Sequence, residues 1–314
     1  MYLCVVNKRP PIYFLSYFLV YWVGKMTKTL EESLPSIYYE DDLYAGVTGR
    51  RRKQLMILHR TFPGPFNAAQ AASKLSIDLV PARRLLADLA QNGWLSRVHK
   101  GWYICVPLDA SEPREWREDP WIVAATLFSP SYIGGWSAGE HWELTDQIFS
   151  VVYLFSGRKV KPTRQTIQGT DFLIRTVPEH TLFGTRRVWR QRVPVNVSDP
   201  HRTIIDILDV PDSAGGILHA SEILQTYFES DHADQMNLLQ YGDRLGRGTV
   251  FKRLGYLSER FRLVDADFIE ACRSRITKGL SQLDPGGPPD GRIFARWNLR
   301  VNTPRLAPDQ GERV

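Results

Sequence analysis

Between Thr48 and Val106 three short helical patterns are followed by one pair of strands, and that order leaves few folds open. The run RRRKQLMILHRTF from Arg50 sets Leu55, Leu58 and Phe62 at three- and four-residue spacing, the period of a helix with one apolar face. Pro63-Gly64-Pro65 ends it. Asn67 is a strong N-cap with Gln70 three residues on, a capping-box arrangement, and Phe66 stands where a hydrophobic staple would sit. A second helix is therefore predicted over Ala68–Leu75. A third runs from Asp78 as N-cap, with Pro81 in its first turn, to the stop signal Asn92-Gly93. On it Ala82, Leu85, Leu86 and Leu89 share one stripe, while Arg84, Ala87, Asp88 and Gln91 share the opposite one. Trp94–Val106 alternates on both sides of Lys100-Gly101, as a hairpin with a two-residue turn does. Helix, helix, helix, hairpin predicts a winged helix-turn-helix over residues 48–108.

Charge says what such a module would meet. Val47–Leu108 holds ten Lys or Arg against two acids, Asp78 and Asp88, a net of +8; the whole chain carries +6, so the remainder sums to −2. A local positive field on an otherwise ordinary chain points to a polyanion. In a winged helix the third helix enters the major groove and the hairpin tip follows the backbone or minor groove. This nominates Arg83, Arg84 and Gln91 as base readers and Arg97, His99 and Lys100 as wing contacts. Arg50, Arg51, Arg52 and Lys53 suit phosphates, which position a protein without reading sequence. The plainer reading of Arg84 is a pair with Asp88 one turn on, worth a few tenths of a kcal/mol.

With 314 residues, two domains are expected. Cys4, Cys105 and Cys272 are far apart and form no C-x-x-C, which indicates neither a disulfide framework nor a cysteine zinc site and fits a reducing cytoplasm. Pro11–Gly24 is apolar and aromatic but shorter than the ~20 residues a spanning helix needs. Residues 1–47 are read as an atypical leader with Met26 as the expected start, followed by an acidic lead-in; the rival reading is a membrane-directed segment.

A polar linker, residues 109–119, precedes a mixed α/β domain over 120–302 and a flexible tail, 303–314, giving an α+β class overall. Within that domain helices are expected at Trp121–Phe128, Pro200–Leu208, Ala220–Phe228, Asp234–Leu245, Val250–Arg262 and Ala266–Leu283. Strands are expected at Ile148–Phe155, Phe172–Val177, in a Val- and Arg-rich pair of runs between Thr181 and Val197, and near Ile293–Val301.

Gly135-Trp136-Ser137-Ala138-Gly139 fits the G-x-S-x-G nucleophile elbow, and Asp171 or Asp206 with His180, His219 or His232 follow in the right order. A hydrolase sheet needs several strands before its serine, and fewer than 20 residues separate Ser137 from the linker. Ser137 is instead read as a helix N-cap with Glu140 at N3. Glu140, His141 and Glu143 lack a second His at the spacing a helical metal site uses. Asp171-Phe-Leu-Ile-Arg175 is a faint echo of a nuclease site. No phosphate-binding or dinucleotide glycine pattern occurs. No catalytic residue, metal or cofactor is expected.

SPSYIGGWSAGEHWEL, VSDPHRTIIDILDVPDSAGGILHASEIL, RLGYLSERF and LDPGGPPDGRIFARWNLRVN, placed behind a winged helix, resemble the AbiEi family of antitoxins of bacterial type IV toxin-antitoxin systems. The likeness covers most of Arg50 to Asn302. Ser198–Asp206 is its most specific part, with His201 where the family usually has Glu. The resemblance implies a DNA-binding antitoxin that represses its own operon at inverted repeats, as a monomer or weak dimer on DNA. It also implies a nucleotidyltransferase-like toxin as the target, with or without direct contact. From the residues alone Ser198–Asp206 reads as a helix start: Ser198 or Asp199 caps, Pro200 takes the first turn, Ile204, Ile205 and Leu208 face a core, and Arg202 pairs with Asp206 on the surface. The rival functions are a ligand-sensing winged-helix regulator without a toxin, and a DNA-targeted nuclease or hydrolase.

Overall fold

The computed structural model describes residues 49–307 except 111, 113 and 114. The apolar Pro11–Gly24 run, the acidic lead-in, Cys4 and the end of the tail lie outside the described residues. The chain forms two compact units, Met1–Met56 and Ile57–Val314. The division falls inside the first helix, α1 (Gly49–Thr61), whose opening turns carry Arg50, Arg51, Arg52 and Lys53. The described residues make a mixed α+β structure of ten helices and three sheets.

In the second unit, β1 (Phe66–Asn67), α2 (Ala68–Leu75), α3 (Leu79–Gln91), β2 (Leu95–His99) and β3 (Trp102–Cys105) follow in order. The sequence predicts all of these except β1. Phe66, read as a staple, instead pairs with Tyr103, and Asn67 pairs with Trp102, so the sheet has three strands in the order β1-β3-β2.

A six-stranded sheet follows, built from β4 (Ser131–Ile133), β5 (Val151–Ser156), β6 (Arg164–Ile167), β7 (Thr170–Thr176), β8 (Thr185–Arg190) and β9 (Val193–Ser198). Its order is β6-β7-β5-β4-β9-β8; β5 runs parallel to β7 and β4 to β9, and the other neighbours are antiparallel. Alternation along the strands gives it two apolar faces. One carries Ile133, Leu154, Phe172, Ile174, Val195 and Val197, and is covered by α4 (Pro120–Leu127) through Val123, Ala124 and Leu127. Val98 and Ile104 of the β2–β3 hairpin belong to this same buried cluster. The other face carries Tyr132, Tyr153 and Phe155, with Trp136 of α5 (Gly135–His141) packed on them.

Ser137 departs from its expected role. Gly134 is the N-cap, Gly135 takes a left-handed φ of 57°, and a Cβ there would overlap the Ser213 carbonyl. The helix thus starts three residues early, at a glycine that tolerates this backbone. Ser137 lies inside α5, buried, and its Oγ accepts the Tyr153 N–H at 2.9 Å. His219 is engaged elsewhere, with Thr145 Oγ1 at 2.8 Å and the Ala214 carbonyl at 2.6 Å.

The C-terminal helices α6 (Pro200–Asp209), α7 (Ile217–Glu229), α8 (Gln235–Leu245), α9 (Gly248–Phe261) and α10 (Ala266–Arg273) surround a second core that includes Ile204, Ile205, Leu208, Leu224, Leu254 and Leu257. Asp199 caps α6 by accepting the Arg202 N–H at 2.8 Å, and Pro200 occupies its first turn, as the sequence predicts. Helix α10 stops ten residues short of the expected Leu283. Ile276, Leu280 and Leu283 keep helical spacing, but carbonyls in this segment are needed elsewhere. Lys252 Nζ donates to the Gly279 carbonyl, and the Arg253 guanidinium donates to the carbonyls of Leu283, Leu208, Asp209 and Gln282. Ser281–Gln282 becomes β10 of a small sheet with β11 (Arg292–Phe294) and β12 (Leu299–Val301). The strand expected across Ile293–Val301 is broken in two, because Ala295–Trp297 form a 3-10 turn and Asn298 takes a left-handed φ of 48°.

The Arg202–Asp206 pair forms, but inside the protein rather than on its surface. Arg202 Nε meets Asp206 Oδ1 at 2.9 Å, and the two residues are 1% and 2% exposed. Tyr132 of β4 donates its hydroxyl to Asp206 at 2.9 Å and accepts from Arg202 at 3.0 Å. The guanidinium also lies 4.2 Å from the Phe183 ring centre. Burial pushes the Asp206 carboxyl up to about 6 even against the opposing pull of the Arg202 charge and the Tyr132 hydrogen bond. Burial opposes the Arg202 charge too, but Asp206 and Tyr132 more than offset it and its pKa is raised. Breaking such a pair strands a buried charge. Asp206→Asn is therefore expected to cost about 3–5 kcal/mol in urea denaturation, far more than an exposed pair would.

Candidate nucleic-acid interface

Asn67 organises this surface because it belongs to a strand and a helix at once. Its Oδ1 accepts the N–H groups of Ala69 and Gln70 at 3.0 Å, and its own N–H donates to Gln70 Oε1 at 2.8 Å, completing the capping box. As a residue of β1 it pairs with Trp102, so the start of α2 is tied to the hairpin. Ser76 at φ 51° turns the chain from α2 toward α3. Asp78 stands at the N-cap of α3 but makes no side-chain cap bond.

Helix α3 buries Ala82, Leu86 and Leu89 and leaves Val80, Arg84, Ala87 and Gln91 exposed. These four are spaced four, three and four apart and form one outward row. The predicted base readers divide here. Arg84 and Gln91 lie in the row, whereas Arg83 sits about 100° around the helix from Arg84, as adjacent helical residues must. Arg83 lines an open groove of ≈ 480 Å³ together with Arg97, Asn67, Leu79, Gly101 and Tyr103. Two guanidinium groups, one from the helix and one from the hairpin, thus share one concavity. Neither they nor Arg84 make an ion pair among the described residues, so the Arg84–Asp88 pair does not form.

In the hairpin the pairing shifts between Arg97 and His99, leaving Val98 to enter the core while Arg97 and His99 stay exposed. Lys100-Gly101 forms the tip, with Gly101 at φ 78° and open space around it. Arg50, Arg52 and Lys53 are exposed on α1 and Arg51 is half-buried.

Sequence reasoning missed Val80 and Tyr103. Val80, 55% exposed, offers an apolar contact at the start of the outward row, the chemistry suited to a thymine methyl. An apolar residue four before Arg84 on a polar stripe was visible. The place of Tyr103 in the groove depends on the pairing of β1, for which the sequence carries no period.

The other candidate constellations have ordinary occupations. Asp171 accepts from Thr166 Oγ1 at 2.5 Å and is paired with Arg164 at 2.6 Å, contacts that hold its carboxyl below the usual range. His141 packs edge-on to Trp121 and Trp142, and burial and the nearby Arg190 lower its pKa. Among the described residues no group of three or more His, Cys, Asp or Glu could hold a metal ion, and no helix is long and apolar enough to cross a membrane. Cys105 and Cys272 are buried free thiols pushed up to about 12 by burial. No protein-family model matches the chain, and no curated protein matches it significantly.

Loss of the Asn67 cap is expected to loosen this surface. Asn67→Ala should cost about 1 kcal/mol in chemical denaturation, and amide exchange should quicken at Ala69 and Gln70.

Proposed function

We propose that this chain is a non-enzymatic DNA-binding regulator whose residues 48–108 act as a winged helix, and that it serves as a cytoplasmic antitoxin and transcriptional autorepressor. The observation that carries the DNA-binding reading is the outward row Val80, Arg84, Ala87 and Gln91 beside the groove where Arg83 and Arg97 converge. The row has the side chains that read base edges, with Arg able to fork onto guanine and Gln onto adenine. The groove suits a phosphate, gripped from helix and hairpin, and the tip residues His99 and Lys100 suit the neighbouring backbone. The antitoxin part rests on the sequence resemblance to the AbiEi family. It implies inverted repeats upstream of the chain's own gene and a nucleotidyltransferase-like toxin encoded beside it.

A second reading, an effector-sensing regulator, is favoured by one observation. An open cleft of ≈ 430 Å³ has Ser129, Ser131, Glu179, Thr185 and Asn196 in its lining, a polar set able to hydrogen-bond a small molecule. A nucleotidyltransferase-like reading frame next door, whose product this chain neutralises on co-expression, supports the antitoxin; its absence favours the regulator.

Binding to the upstream DNA, titrated by fluorescence anisotropy over a range of salt, separates the roles. Arg84→Ala with Gln91→Ala should lose roughly 1–3 kcal/mol of discrimination per base contact removed. Arg83→Ala with Arg97→Ala should weaken operator and random duplex alike and flatten the salt slope by about 1.8. Replacing Arg50–Lys53 by alanine should likewise weaken all sequences. If both pairs of variants bind operator as the parent does, this face is not the DNA-binding one.

A further inference from the structure

We propose that the β8–β9 hairpin is a platform for single-stranded nucleic acid, with a base stacked on Trp189 and the adjoining phosphates held by Arg187 and Arg192. This inference does not rest on the duplex-binding role of α3. From Thr185 to Ser198 the chain holds four arginines and no acid. Alternation divides them. Arg186 and Arg190 turn toward the core side, where Arg186 lies 5.6 Å from the Trp142 ring centre and Arg190 lies 4.4 Å from that of Trp121, with Asp119 at 3.9 Å. These contacts anchor the strand. Arg187 and Trp189 turn the other way, opposite Asn196 and Pro194, and Arg192 stands in the two-residue turn that joins the strands.

Among the described residues nothing covers this outer face, and Arg187, Trp189, Pro194 and Asn196 are all exposed. The aromatic cluster of Tyr132, Trp136, Tyr153 and Phe155 covers the same side of the sheet at β4 and β5 but includes no residue of β8 or β9. Trp189 is 66% exposed, and among the described residues it has neither a ring partner nor an acceptor for its indole N–H. Arg187 and Arg192 meet no carboxylate there.

Two plainer explanations fall short. Charges on an edge strand discourage pairing with a second sheet, and β8 is an edge. That accounts for the arginines, but a large exposed apolar ring beside them works against it. Isolated exposed apolar residues are common, yet this ring is bracketed by guanidinium groups on an anchored strand. Unpaired cations choose an anionic occupant, and the ring face chooses one with planar groups free to stack. Duplex bases are already stacked on each other, whereas single strands offer theirs to aromatic side chains between basic contacts.

The test uses the full chain and a fluorescein-labelled oligo-dT of about 12 nucleotides, within the span one such surface covers. The parent should bind with a negative salt slope. Trp189→Ala should weaken binding roughly 5- to 100-fold, as the loss of one stacked base does, and Trp189→Phe should recover part of it. Arg187→Ala with Arg192→Ala should flatten the slope by about 1.4. The double variant Arg84→Ala, Gln91→Ala should bind the oligonucleotide as the parent does. The proposal is overturned if the parent does not bind oligo-dT, or if the Trp189→Ala chain binds it unchanged. Binding of polyglutamate in place of oligo-dT also overturns it, and marks the hairpin as a seat for an acidic protein surface.

Discussion

The contact on which much of the second unit depends is the buried meeting of Arg202, Asp206 and Tyr132. Tyr132 belongs to a central strand and the other two to the first helix of the C-terminal bundle, so one buried polar cluster holds sheet and bundle in register. Apolar surfaces tolerate sliding, but a buried charge accepts one geometry and penalises the rest. A buried charge recurs at Arg253, whose guanidinium has no carboxylate at hydrogen-bond distance among the described residues and donates to four main-chain carbonyls. That residue dictates where β10 must lie.

The parts of the fold legible in the sequence were those governed by local rules. The Asn67–Gln70 box, the inward stripe of α3, the Lys100-Gly101 turn and the Asp199-Pro200 start of α6 each follow from a few neighbouring residues. The failures share a physical cause. Residues 274–283 carry a helical spacing but end the helix and lead into the short strand β10, because side chains on α9 take carbonyls of this segment. Arg202 and Asp206 satisfy the rule for a surface pair, and nothing four residues apart tells that Tyr132, 70 residues earlier in the chain, will bury them. β1 is two residues long, too short for any period to register.

The candidate interface shows the same limit at finer scale. Arg83 and Arg84 are neighbours in the sequence, but a helix turns them to different surroundings. One faces outward with Gln91 and the other joins Arg97 across a groove made by a distant strand. Composition located the charge, and only the packing of helix against hairpin divided it into two kinds of contact. The summed charge of −2 outside residues 47–108 likewise hid the basic hairpin at β8–β9, because acids elsewhere cancel it.

Val98 and Ile104 sit in the core that the six-stranded sheet shares with α4. The hairpin therefore has no swivel on its sheet side. A reader of paired half-sites built this way cannot twist to follow its target. Inserting one base pair between half-sites rotates the second by about 35° around the duplex, given 10–10.5 base pairs per turn. A flexibly tethered module would absorb that rotation, whereas a hairpin fixed this way would pass it to the whole unit; on the proposed DNA-binding role, two bound copies would then be coupled by the phase of the helix as well as by its sequence.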